Sequence, residues 1–144
     1  MDARISSPTW RALRLAAGRD EPWPAAGDEV GWASLVRSAS DARVAPLLAW
    51  RCAADRRAVP EALRRARLAA LVRAEAQAAV AGLALDALAA RGVVPIALKG
   101  ADLARRVYPS PELRPMVDLD FLVGDSELEQ HAGALQSGDF HVRE

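Results

Sequence analysis

Two carboxylates stand inside an apolar stretch: Asp118 and Asp120 alternate with Leu119 and Phe121 in the run V-D-L-D-F-L-V from Val117 to Val123. On a strand, side chains two apart point to one face, so both acids would project together with Cα atoms roughly 7 Å apart. Two like charges in an apolar strand need compensation, because desolvation and mutual repulsion both disfavour the ionised pair. A divalent cation would supply it, which makes Asp118 and Asp120 the candidate metal ligands; a solvated edge strand with two outward acids is the plainer account. Upstream, a second apolar run, Val93 to Leu98, ends in Lys99-Gly100 and opens into a helical pattern, where a helix N-terminus receives phosphate well.

Several neighbours bear on the same chemistry. Eighteen of the 19 basic residues are Arg, so the single lysine, Lys99, marks a place where a compact ammonium is suited to a phosphate; a side chain snorkelling from a strand end is the plainer account. Gly100 permits close backbone approach or a positive φ. Arg114, four residues before Asp118, has the fork geometry for a phosphate or a metal-bound carboxylate, and equally for a structural ion pair. Asp102 reads as a helix-dipole partner. His131 and His141 have no partner at metal spacing, which argues against zinc. No G-x-S-x-G turn is present, and Lys99 precedes its glycine, so neither an acyl-transfer site nor a P-loop is indicated.

The chain around these residues has 144 positions, 51% hydrophobic and 26% charged, the size and balance of one folded domain with a core of Ala, Leu and Val. Acids and bases number 19 each, so no global field favours nucleic acid or an anionic membrane. The halves differ: residues 1–91 carry a net charge of +4 and residues 92–144 one of −4, and an acidic half holding the D-x-D pair suits a cation. The arginines 64, 65 and 73 read as a solvated helix face, not a nucleic-acid stripe, because no aromatics interleave. A lone Cys52, no apolar leader and no run approaching 18 uninterrupted apolar residues lead to the expectation of a cytoplasmic protein without a membrane partner.

The elements that must position the site change period at Gly92. Before it, Thr9 is expected to cap a helix reaching Leu15 and ending near Gly18, and Asp28 to start another carrying Trp32, Leu35 and Val36. Val44, Leu47, Leu48 and Cys52 mark a third, with Pro46 in its first turn. Pro60 opens a long helix whose face is traced by Leu63, Arg67, Leu71, Ala74, Ala78, Ala81, Leu85 and Leu88, and Gly92 stops it. Tyr108 and the four tryptophans are expected to pack. Beyond Gly92 the expected order is a strand (93–98), a helix (101–107), a Pro-rich loop (109–115), a strand (117–123), a helix (126–136) capped by Ser126 with Glu129 and ended at Gly138, and an incipient strand (139–143). The fold class is α/β, in the α+β sense: a helical region over 1–91 and a partial core with a small mixed sheet over 92–144, forming one compact unit.

The pattern I-A-L-K-G-A-D-L-A, then Y-P, then L-R-P-M-V-D-L-D-F-L-V, a capped helix and G-D-F resembles the bacterial nucleotidyltransferase-like family of the polymerase-β-type superfamily, over residues 40–144 and most specifically over 96–123. The resemblance implies transfer of NMP from an NTP to an unidentified acceptor, with Asp118 and Asp120 holding Mg²⁺ as the catalytic acids. It implies that Lys99, Gly100 and Ala101 meet the phosphates, with Arg114 beside them. The chain departs from the pattern where Ala101 replaces a hydroxyl residue and where the gap from Gly100 to Asp118 is longer. The resemblance also implies a third carboxylate from a later strand. Only Asp139 and Glu144 follow the last expected helix, so the expectation is a C-terminally short form, its third acid supplied by a partner chain or lacking. The alternative is a non-catalytic nucleotide-binding or partner-binding helical module with a vestigial core.

Overall fold

The computed structural model describes residues 7–124. Helix α1 (Pro8–Ala16) is capped by Ser7, whose hydroxyl accepts from the Trp10 N–H at 3.3 Å, not by Thr9. Pro8 fixes this start two residues earlier, since proline suits the first helical position and leaves the residue before it as the cap. Asp28 caps α2 (Glu29–Asp41) through the Gly31 N–H at 2.9 Å, as its position before an apolar-periodic run predicts. Helix α3 (Ala45–Ala54) carries Pro46 in its first turn, and the long α4 (Glu61–Ala89) follows Pro60.

These helices close on Ala12, Leu15, Leu35, Ala39, Leu48, Ala49 and Leu63, all buried. Small residues let the helices approach, and the leucines fill the space between them. Trp23 stacks on Trp32 at 5.9 Å between ring centroids and donates from its indole N–H to Asp55 at 3.0 Å, closing the bottom of this bundle. Trp10 does not pack as expected: it is 62% exposed on the outer side of α1.

Beyond Leu63, α4 leaves the bundle. Leu68, Val72, Val80 and Leu83 are exposed, while Ala70, Ala84 and Leu88 are buried. By length and composition alone this helix is apolar enough to cross a membrane, which its alternation with Arg73, Glu75 and Asp86 hides from a search for uninterrupted apolar runs. It ends at Gly92, whose φ of +77° lets the Val93 N–H turn back to the Leu88 carbonyl at 3.1 Å.

The chain then forms β1 (Ile96–Ala97), α5 (Lys99–Arg106), a 3₁₀ turn (Pro111–Leu113) and β2 (Phe121–Leu122). The two strands pair antiparallel, with Ile96 opposite Leu122 and Ala97 opposite Phe121. They are shorter than the expected 93–98 and 117–123, and the sheet of the described residues is purely antiparallel. Pro95 has no N–H to extend the ladder, and Val94, Ile96 and Leu122 are exposed, with no further layer on them among the described residues. Helix α5 begins two residues earlier than expected, at Lys99. The expected elements 126–136 and 139–143 lie outside the described residues.

Candidate active site

The strand pair delivers the two candidate segments to one place. Where the ladder leaves β1, the Leu98 N–H donates to the Asp120 carbonyl at 2.9 Å. Leu98 is extended, and no side chain caps the helix that begins at the next residue. The first N–H groups of α5, those of Lys99, Gly100 and Ala101, thus open beside the D-x-D segment, with the positive end of a helix dipole behind them. Asp102 occupies the first turn of α5, where a carboxylate suits the dipole, and Arg106 reaches it at 3.5 Å.

Alternation sorts the side chains of the D-x-D segment. Leu119 and Phe121 line an apolar cleft against α4, together with Ala97 and Ala101. Asp118 and Asp120 are not part of that lining; Asp118 is exposed and Asp120 half-buried. The acids therefore face away from α4 and toward solvent, as an oxygen-ligand site for a hard cation requires. Ala101 turns its methyl into the cleft, so what it offers an anion is its backbone N–H. Among the described residues no group of three His, Cys, Asp or Glu side chains converges on a metal position.

Gly100 and Arg114 meet. A Cβ built on Gly100 would lie 3.3 Å from Arg114 Nη1 and 2.9 Å from the Met116 sulfur. The need for glycine is thus close approach inside a helix, and a positive φ, which the sequence also allowed, is not used. The guanidinium of Arg114 consequently lies against the first turn of α5.

The loop that carries Arg114 is anchored by residues that sequence reasoning passed over. Glu112 is buried, 4% exposed, and accepts from Arg67 of α4 at 3.2 Å and from the Ser110 hydroxyl. Burial raises its pKa, but hydrogen bonds from Ser110, from its own backbone N–H and from Arg67, with the Arg67 charge, outweigh burial and hold it below the usual glutamate value. Gln77, also on α4, donates to the Met116 carbonyl at 3.2 Å. The loop between α5 and β2 is thereby fixed to the long helix on both sides of Arg114. A glutamate flanked by prolines and a serine was the available signal, but nothing local pointed to Arg67.

An α+β arrangement in which a strand pair sets a D-x-D segment beside an uncapped helix start is the frame of a nucleotidyltransferase-like protein. Residues 28–144 match the family model described as Uncharacterised nucleotidyltransferase, and the chain belongs to that family. The match begins at the cap of α2, so it takes in that helix, ahead of the expected start at residue 40. No curated protein and no solved structure matches the chain.

Proposed function

We propose that the protein binds an Mg²⁺-nucleoside triphosphate at the mouth between α5 and the D-x-D segment and transfers its NMP to an acceptor, releasing pyrophosphate. The observation that carries this reading is the hydrogen bond from Leu98 to Asp120, which sets the two acids beside the helix start in a chain of nucleotidyltransferase family. Asp118 and Asp120 are hard oxygen donors on the solvent side of the segment and fit Mg²⁺. Bound there, the ion would neutralise charge on the transferring phosphoryl group and the leaving group.

The chain's own residues supply the rest. The N–H groups of Lys99, Gly100 and Ala101 receive phosphate oxygens, the absence of a side chain at Gly100 lets them approach, and the charges of Lys99 and Arg114 balance the triphosphate. In the transfer an acceptor oxygen attacks the α-phosphorus, the bond to the bridging oxygen of the β-phosphate breaks, and the acceptor proton leaves to solvent or to a carboxylate. Two acids suffice for one Mg²⁺-nucleotide. A second ion at the attacking oxygen calls for a further carboxylate, from a residue outside 7–124 or from a partner chain. The cytoplasm, with its reducing conditions and nucleotide pool, is the compartment that suits such a protein with a single buried cysteine.

That no third acid joins Asp118 and Asp120 in a metal-sized group among the described residues favours, as second reading, a protein that binds nucleotide without turning it over. Pyrophosphate release from each NTP with Mg²⁺ separates the two. Metal-dependent release that disappears in Asp120→Asn supports transfer; saturable nucleotide binding with no release supports the binding module.

A further inference from the structure

On the side of the loop away from α5, a cavity of about 450 Å³ lies between the α2–α3 turn, α4 and the segment leading to Asp118. Arg43 and Arg73 both line it, and neither has an ion pair or a side-chain hydrogen bond among the described residues. Arg14, Arg51, Arg64, Arg65, Arg67 and Arg106 each have a carboxylate partner, whereas the exposed Arg43 and Arg73 share their lack of one among the described residues with Arg19, Arg37, Arg56, Arg105 and Arg114; what distinguishes the two is that both line this one cavity. The Ser40 hydroxyl, also in the lining, donates to the Val36 carbonyl at 2.9 Å, which leaves Arg43 and Arg73 as the charged residues of the lining. Arg43 stands at the turn after α2 with φ +58°, a left-handed position that glycine or asparagine occupies at less cost. Arg56 does the same after α3 but does not line this cavity, so the backbone feature alone does not define the site.

Met116 and Val117 form the wall nearest the D-x-D segment, directly before Asp118. Met116 is also the side chain that abuts Gly100, so one residue borders both the helix start and this cavity. Pro46 and Ala70 add buried apolar surface.

We propose that this cavity binds the phosphate group of a small phosphorylated acceptor, with Arg43 and Arg73 as its ligands. Two forked monocations match a phosphate dianion in charge and in hydrogen-bond geometry, and an apolar wall suits the carbon skeleton that joins the phosphate to the attacking hydroxyl. The volume fits a small molecule, and the chain's balanced overall charge gives a polynucleotide no extended track. The assignment rests on the transferase reading, for which it names the acceptor class.

The test is calorimetric titration of the full chain with inorganic phosphate in the presence of saturating Mg²⁺ and a non-hydrolysable ATP analogue, which fills the phosphate positions at α5, and separately with the Mg²⁺-analogue alone. Arg43→Gln/Arg73→Gln should weaken phosphate about tenfold or more while leaving the nucleotide affinity within about twofold, since a charge-assisted, bidentate contact is lost only at the acceptor end. Arg114→Gln and the charge-matched control Arg19→Gln/Arg37→Gln should keep phosphate binding. Phosphate affinity that survives in the Arg43/Arg73 variant, falls as far in the control, or is undetectable in the wild type would overturn the proposal. Equal affinity for acetate would overturn the phosphate assignment, and tight, salt-sensitive capture of a single-stranded RNA lost in the same variant would replace the small acceptor with a polymer. Failure of Asp118→Asn/Asp120→Asn to lower nucleotide affinity would count against the metal site alone, because phosphate binding at the arginines does not depend on it.

Discussion

Leu98 donates its backbone N–H to the Asp120 carbonyl at 2.9 Å, one residue before α5 begins. This bond ties the metal-candidate acids to the phosphate-candidate helix start through the main chain, so their separation does not depend on any side chain. Side-chain variants can therefore probe ligand binding here without dismantling the frame.

Replacing Glu112 tests what holds the Arg114 loop. Glu112→Ala should lower stability by about 1–3 kcal/mol, because Arg67 and Ser110 lose a buried acceptor. Urea unfolding measures it, and nucleotide affinity should fall as well, as the loop carrying Arg114 loosens. An unchanged midpoint would mean that the ion pair from α4 contributes nothing to the loop.

The same carboxylate predicts a pH dependence. Its pKa in the folded protein is held below the unfolded value of about 4.3, so its contribution is present above that value and lost as pH falls through the folded one. The stability gap between wild type and Glu112→Gln should accordingly be widest near neutrality and narrow below about pH 4. A gap that widens on acidification would reverse the sign and contradict the assignment.

Gly92 and Gly100 should respond differently to alanine. At Gly92 nothing lies within 4 Å of a built Cβ, but φ is +77°, so Gly92→Ala should cost about 1 kcal/mol through backbone strain alone. At Gly100 the backbone is helical, and alanine gains helix propensity of up to about 1 kcal/mol while pushing the flexible Met116 and Arg114 side chains aside. Gly100→Ala should thus nearly keep the melting temperature and weaken nucleotide binding several-fold. A variant that melts earlier with affinity intact would show that the glycine serves folding and not the ligand.

Much of the frame was legible because its signals are local. Asp28 as a cap, Pro46 in a first turn and Gly92 as a stop each follow from a few neighbouring residues. The cap at Ser7 was legible too, had Pro8 been read as the first helical residue. Strand lengths were not, because Pro95 and the exposed Val94 and Ile96 limit pairing that apolar content alone suggests. The link from Arg67 to Glu112 spans 45 residues and depends on the path of the chain after α5, which no periodicity encodes. At the site, the shared face of Asp118 and Asp120 was readable from strand alternation, whereas the bond from Leu98 to Asp120 and the meeting of Gly100 with Arg114 required the folded chain.

The central claim is that Asp118 and Asp120 bind a nucleotide through a divalent ion, and the direct measurement is calorimetry of ATP binding with and without Mg²⁺, in the wild type and in Asp118→Asn/Asp120→Asn. The account predicts Mg²⁺-dependent binding in the wild type and a loss of at least about tenfold in the variant, since a hard divalent ion depends on its carboxylate ligands. Affinity that is the same with and without Mg²⁺, or unchanged in the variant, would contradict it.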